Sequence, residues 1–156
     1  MIKYIDGHVH PPTREFLEGP MGPFLNGLRD FVDDPIEPQS PEQLADFYRE
    51  REAKALLLGW NSRPGSGHRS LGNANIATLV AGAPDVFYGF GAVEPTGGAG
   101  AVAAVHQAAR IGLLGLSFHP AAEQATLSNL ESRQVLETAA EHGLICLIHT
   151  GFTRLG

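Results

Sequence analysis

Two histidines one residue apart, His8 and His10, stand in the stretch YIDGHVHPP, where an apolar run meets a doubled proline. Side chains alternate along a strand, so both imidazoles are expected on one face at its C-terminal end, together with Asp6. Two imidazoles on one face are a ready donor pair for zinc or another first-row metal. The same tripeptide also occurs in solvated surface turns, so the pair alone does not make a site. The far end of the chain adds to it. In LICLIHTG, Ile145, Leu147 and His149 share one strand face, and His149 sits where strand gives way to loop. In GLSFHP, Gly115, Ser117 and His119 share a face, while Leu114, Leu116 and Phe118 take the other and should pack on helices.

The elements that must hold these residues are legible as five short apolar runs near 1–6, 53–60, 86–93, 113–120 and 144–151. Each has the length of a strand and is apolar on both faces, the pattern of strands buried in a parallel sheet. Helix signals lie between them. Ser40-Pro41-Glu42-Gln43 offers an N-cap serine, a proline at the first helical position and a glutamine to close a capping box, so a helix is expected over 41–52. Ser128-Asn129-Leu130-Glu131 repeats the capping box, followed by an apolar stripe of Leu136, Ala139 and Ala140 and a stop at Gly143. Segments 70–82 and 99–111 fit two further helices. Strands alternating with helices imply right-handed crossovers and a parallel sheet, open or barrel-like, which gathers every strand C-terminus on one rim. His8, His10, His119 and His149 should converge there. Segment 11–40, with six prolines, is too long for an ordinary connection and reads as an irregular loop insertion.

IDGHVH, GLLGLSFHP and LICLIHTG, in this order and at strand ends, resemble the amidohydrolase superfamily, in particular the amidohydrolase-2 branch that contains aminocarboxymuconate-semialdehyde and resorcylate decarboxylases. The resemblance implies a distorted (β/α)8 barrel with one catalytic divalent metal, most often zinc, with iron or manganese as alternatives. By motif, His8 and His10 would be ligands from the first strand and His149 the ligand from the fifth. The pattern in that family often carries a lysine where Ser117 stands here, and a serine cannot become a carboxylated bridging ligand. A single-metal centre is therefore implied. His119 is then a substrate-contacting or supporting group, or a buried histidine with a partner. Asp6 would orient a ligand imidazole, and these two are the catalytic candidates.

A full barrel needs roughly 250 residues, whereas the chain has 156. It reads as a single, incomplete barrel domain over 1–156, with about five strands. Two open sheet edges should follow, and with them a homo-oligomer or a complementing chain. The expected reaction is hydrolysis or decarboxylation of a small carboxylated or cyclic compound; the alternative is a catalytically incompetent half-barrel that binds metal or a partner chain. Glu94, Arg63 and Trp60 close the third and second strands and are candidate substrate contacts, Arg63 through its planar fork of donors. Arg14 has a weaker claim of the same kind. GGAGAVA, from Gly97, matches a dinucleotide fingerprint, but no acidic residue follows at the next strand end, so a tight turn before a small-residue helix is the better reading. His68, His106 and His142 read as surface residues, and Cys146 as inert packing on the helix side of the fifth strand.

The composition narrows the partners. With 43% hydrophobic and 18% charged residues the chain can bury a core. Its formal charge of −6 argues against nucleic acid and acidic membrane surfaces as partners. The N-terminus opens directly into an apolar strand, and one cysteine forms no internal disulfide, as expected of a cytoplasmic protein.

Overall fold

A computed structural model describes residues 1–22, 25, 36–61, 70–123 and 125–150. Strands β1 (Tyr4–Val9), β2 (Ala53–Leu58), β3 (Phe87–Ala92), β4 (Gly115–Phe118) and β5 (Ile145–Ile148) form one parallel sheet in chain order. The helices are α1 (Arg14–Glu18), α2 (Pro41–Glu50), α3 (Asn73–Gly82), α4 (Gly98–Arg110), α5 (Pro120–Glu123) and α6 (Leu130–Glu141). The alternation of strand and helix is the one the apolar runs predict. No helix among the described residues is long and apolar enough to cross a membrane.

The capping box of α2 forms as its sequence requires: the Ser40 hydroxyl accepts from the Gln43 N–H, and the Gln43 side chain accepts from the Ser40 N–H. At α6 the cap is Asn129 rather than Ser128, its Oδ1 accepting from Ser132 N–H at 2.7 Å. Asparagine caps a helix at least as well as serine. The buried stripe of α6 runs through Ser132, Val135 and Ala139, at spacings of three and four. Leu136 therefore lies on its flank and Ala140 is exposed, contrary to expectation. Thr13 caps the short helix α1, whose Phe16 and Leu17 are buried.

Strand register decides which residues face the helices. Ala55 pairs with Phe87, and Leu116 with Cys146. Together with Ala53, Leu57 and Phe118, these residues form the helix-facing side of the sheet, where all but the half-buried Cys146 are nearly inaccessible. Two glycines permit close approach. A methyl group on Gly91 would run into Asn73, a buried amide whose Oδ1 accepts from Ala92 N–H at 2.9 Å and whose Nδ2 donates to the Ala104 carbonyl at 3.2 Å. One on Gly115 would collide with the Ile145 carbonyl and the Phe90 ring.

The central strands are covered on both sides, but β1 and β5 have one neighbour each. Ile5 is 58% exposed and Ile145 60%, so the expectation of two buried faces fails at both edges. Leu114 precedes β4 and is exposed rather than packed on a helix. In a flat sheet four strand spacings would hold β1 and β5 roughly 19 Å apart. Yet the imidazoles of His8 and His149 meet at 3.1 Å, so the sheet curls into an arc, half of a barrel wall.

Candidate metal centre

The doubled proline after His10 offers no N–H to continue a ladder, so β1 stops and its last side chains stand on the rim. Before that the strand changes phase. Asp6 pairs with Ala55 and Val9 with Leu57, three residues on β1 against two on β2, which is a bulge at Gly7-His8. Asp6 and Val9 thereby take the helix side, and His8 and His10 take the other. Asp6 is thus not on the imidazole face expected from simple alternation. One of its oxygens accepts from His8 N–H at 3.2 Å and the other from the Tyr48 hydroxyl at 3.0 Å. Burial and the Asp6 carboxylate both push the Tyr48 phenol above its ordinary range.

The four predicted histidines come together. Their rings form a chain of contacts, with His8 edge-on to His10 at 5.1 Å and to His149 at 4.5 Å, and His119 stacked on His149 at 4.3 Å. One nitrogen from each of His8, His10 and His149 lies within 4.8 Å of the others. His119 stands behind this trio and is not part of it. Trp60, buried, closes the site with its ring 5.1 Å from His10 and 5.0 Å from His119, and Phe16 of α1 stacks on the outer face of His10.

This environment disfavours charge on His10, His119 and His149. Burial, helped by the neighbouring His8, drives His10 from 6.5 down to about 3, with the Leu58 carbonyl pulling weakly the other way. Burial also lowers His119 and His149, each with a histidine neighbour adding to the effect. Neutral imidazoles have the free lone pairs that a metal requires. Nδ1 of His10 is buried with no well-formed hydrogen bond, and a polar atom in that state is costly unless something binds it. Donor set, protonation state and orphaned nitrogen all fit a divalent ion.

Sequence reasoning missed Glu123. It lines the cleft shared by His10, Trp60, Ser117, His119 and His149. Its Oε2 accepts from the His119 N–H at 3.2 Å, while its own N–H donates to the His119 carbonyl at 2.9 Å, closing the turn that follows β4. Burial, aided by nearby Glu94, raises its carboxyl from 4.5 to about 7, against the pull of the His119 N–H. The sign was present in His119-Pro120-Ala121-Ala122-Glu123: proline at a first helical position with an acid placed to reach back to the start.

Glu94 is half-buried and bears on the site through its charge beside Glu123. Arg63 and His68 lie outside the described residues. Arg14 pairs with Glu18 at 3.1 Å on the surface. Cys146 is on the helix side, where burial pushes its thiol up and makes it less reactive.

No curated protein matches the chain, but solved structures do. An uncharacterized TIM-barrel protein of Bordetella bronchiseptica is 19% identical and superposes with a TM-score of 0.77 over 99% of this chain and 57% of its own. A probable 2-pyrone-4,6-dicarboxylic acid hydrolase of Acinetobacter baumannii, with citric acid bound, is 14% identical with a TM-score of 0.61, over 94% of this chain and 49% of its own. A 5-carboxyvanillate decarboxylase of Novosphingobium aromaticivorans with bound manganese is 19% identical with a TM-score of 0.55, over the same shares, 94% and 49%. The chain thus spans about half the length of these barrels. The amidohydrolase family model matches residues 5–156, taking in β1 through β5 and all four rim histidines, and the chain belongs to that family.

Proposed function

We propose that the chain carries the N-terminal part of a single-metal active site that hydrolyses or decarboxylates a small carboxylated or cyclic compound. The convergence of His8, His10 and His149 from the first and last strands is the observation that carries this reading. Zinc is the proposed ion, with iron and manganese as alternatives; the manganese in one solved relative keeps the last of these in view. Bound by three neutral imidazoles, such an ion would polarise a substrate carbonyl or carboxylate or lower the pKa of a water.

The other rim residues have distinct tasks. Trp60 and Phe16 pack on His10 and shield that ligand imidazole from water. His119, stacked on His149, offers a ring to substrate. Glu123, whose carboxyl burial raises to about 7, can hold or release a proton beside the same cleft. Asp6 acts through the backbone of His8 and is a positioning group. Glu94 and Arg63 are proposed substrate contacts.

A second reading rests on the exposed edges. Ile5 and Ile145 leave apolar surface on the concave side, so we infer a further strand-bearing segment or chain, or a second copy, that covers it. Without that cover the chain would bind metal and turn nothing over. Metal content per chain, measured after purification without added metal, tests the site. About one ion per chain, lost in His8→Ala and in His149→Ala, is the expected result. Full metal content in both variants would sink the ligand assignment.

A further inference from the structure

The outer layer holds a second pair of histidines. His106, on α4, and His142, capping the C-terminus of α6, meet across the seam between these helices. Nδ1 of His106 lies 2.6 Å from Nε2 of His142, with ring centroids 4.9 Å apart and planes at 88°. The rim chemistry uses neither residue. At this separation the two nitrogens share one hydrogen, so one is a donor and the other presents its lone pair. Two imidazole nitrogens aimed at one point are what a Lewis acid takes when it replaces that hydrogen.

The surroundings favour a cation. The carbonyl end of α6 carries partial negative charge beside His142. The groove between the same helices is lined by Glu137 and Glu141 and by no lysine or arginine. His142 is exposed, so desolvating an ion there is cheap and its ring is free to adjust. Zinc–nitrogen bonds of about 2.0–2.1 Å at a tetrahedral angle need the nitrogens about 3.3 Å apart, an opening of less than an ångström from the present separation. We propose that His106 and His142 form a second site for a divalent transition-metal ion, bridging α4 and α6 with water completing its coordination. Ion binding there pins the outer helices together, so stability rises with ion concentration by mass action.

The test is Zn2+ titration of the full chain with the rim disabled by His8→Ala and His149→Ala. This chain should still bind about one Zn2+, with a Zn2+-dependent rise in Tm, and Cu2+ should bind more tightly. Adding His106→Gln or His142→Gln should abolish both. Zn2+ binding that survives both substitutions, or none at all in a folded rim-disabled chain, would overturn the proposal. Should the rim variants fail to fold, the wild-type chain serves: His142→Gln should lower its Zn2+ stoichiometry by about one and remove the metal-induced shift of the His106 ring nitrogens in NMR, and an unchanged stoichiometry refutes the site. Loss of rim binding alone, seen by comparing wild type with His8→Ala, bears on the proposed function and leaves this site standing.

Discussion

The middle of the sheet and its two edges are built to different rules. In β2, β3 and β4 nearly every side chain on the helix face is inaccessible, and glycines at 91 and 115 let neighbouring chains approach closely. β1 and β5 have exposed isoleucines and a single neighbour each, yet they supply three of the four rim histidines. Curvature reconciles the two. The covered centre sets the arc, and the arc brings the lightly supported edges within reach of each other at 3.1 Å. Stability and chemistry are thus assigned to different strands, and the geometry of the site depends on residues that never touch it.

This division is best broken by emptying the centre. Phe118 is fully buried under the helices, and Phe118→Ala should destabilise the chain by about 3–5 kcal/mol, measured by denaturant unfolding. A loss below about 1 kcal/mol would mean that the centre is not what sets the arc.

Acid should sharpen the contrast from the other side. His10 has its folded value depressed from 6.5 to about 3, so its contribution is present above pH 6.5 and lost as the pH falls through that window. Glu123 is displaced the opposite way, from 4.5 to about 7, so its contribution is present below pH 4.5 and lost as the pH rises toward 7. Each group changes stability by up to about 1.4 kcal/mol per pH unit within its window. Between 4.5 and 6.5 the two slopes oppose. Metal-free protein should therefore lose stability most steeply below about pH 4.5, where Glu123 no longer opposes His10 and the carboxylates of Glu52 and Asp85, held down by their cationic partners, add to the loss, and His10→Gln should flatten that limb. An equally steep limb in His10→Gln would move the acid sensitivity elsewhere.

The smallest effect belongs to the edges. Ile5→Ser removes an apolar side chain that is already 58% exposed, so stability should change within about 0.5 kcal/mol. Self-association, read by sedimentation, should fall. A loss comparable to that of Phe118→Ala would show that the edge is covered in solution.

Most of this architecture is written in local patterns. Apolar runs of strand length, capping residues such as Ser40 and a parallel sheet that collects strand ends are enough to bring four distant histidines to one rim. What stayed hidden depends on contacts that no local pattern encodes. The Asp6 face turned on a bulge set by pairing with β2. The role of Glu123 needed the fold of the turn after β4, and the meeting of His106 with His142 needed two helices laid side by side. The exposure of β1 and β5 followed from having no second neighbour among the described residues, a fact about the sheet rather than about either strand.

The bulge in β1 also works as a reading-frame shift. Tyr4 and Asp6 face the helical layer, as does Val9, while the extra residue at Gly7-His8 turns His8 and His10 to the concave side. Had strict alternation run on through Gly7, both imidazoles would stand in register with Asp6 and therefore under α2; the unpaired extra residue is what sets them on the other face. The pairing of β1 with β2 is thus a message separate from the identity of the residues, and the same letters paired without the bulge would keep the spelling of the site without its meaning.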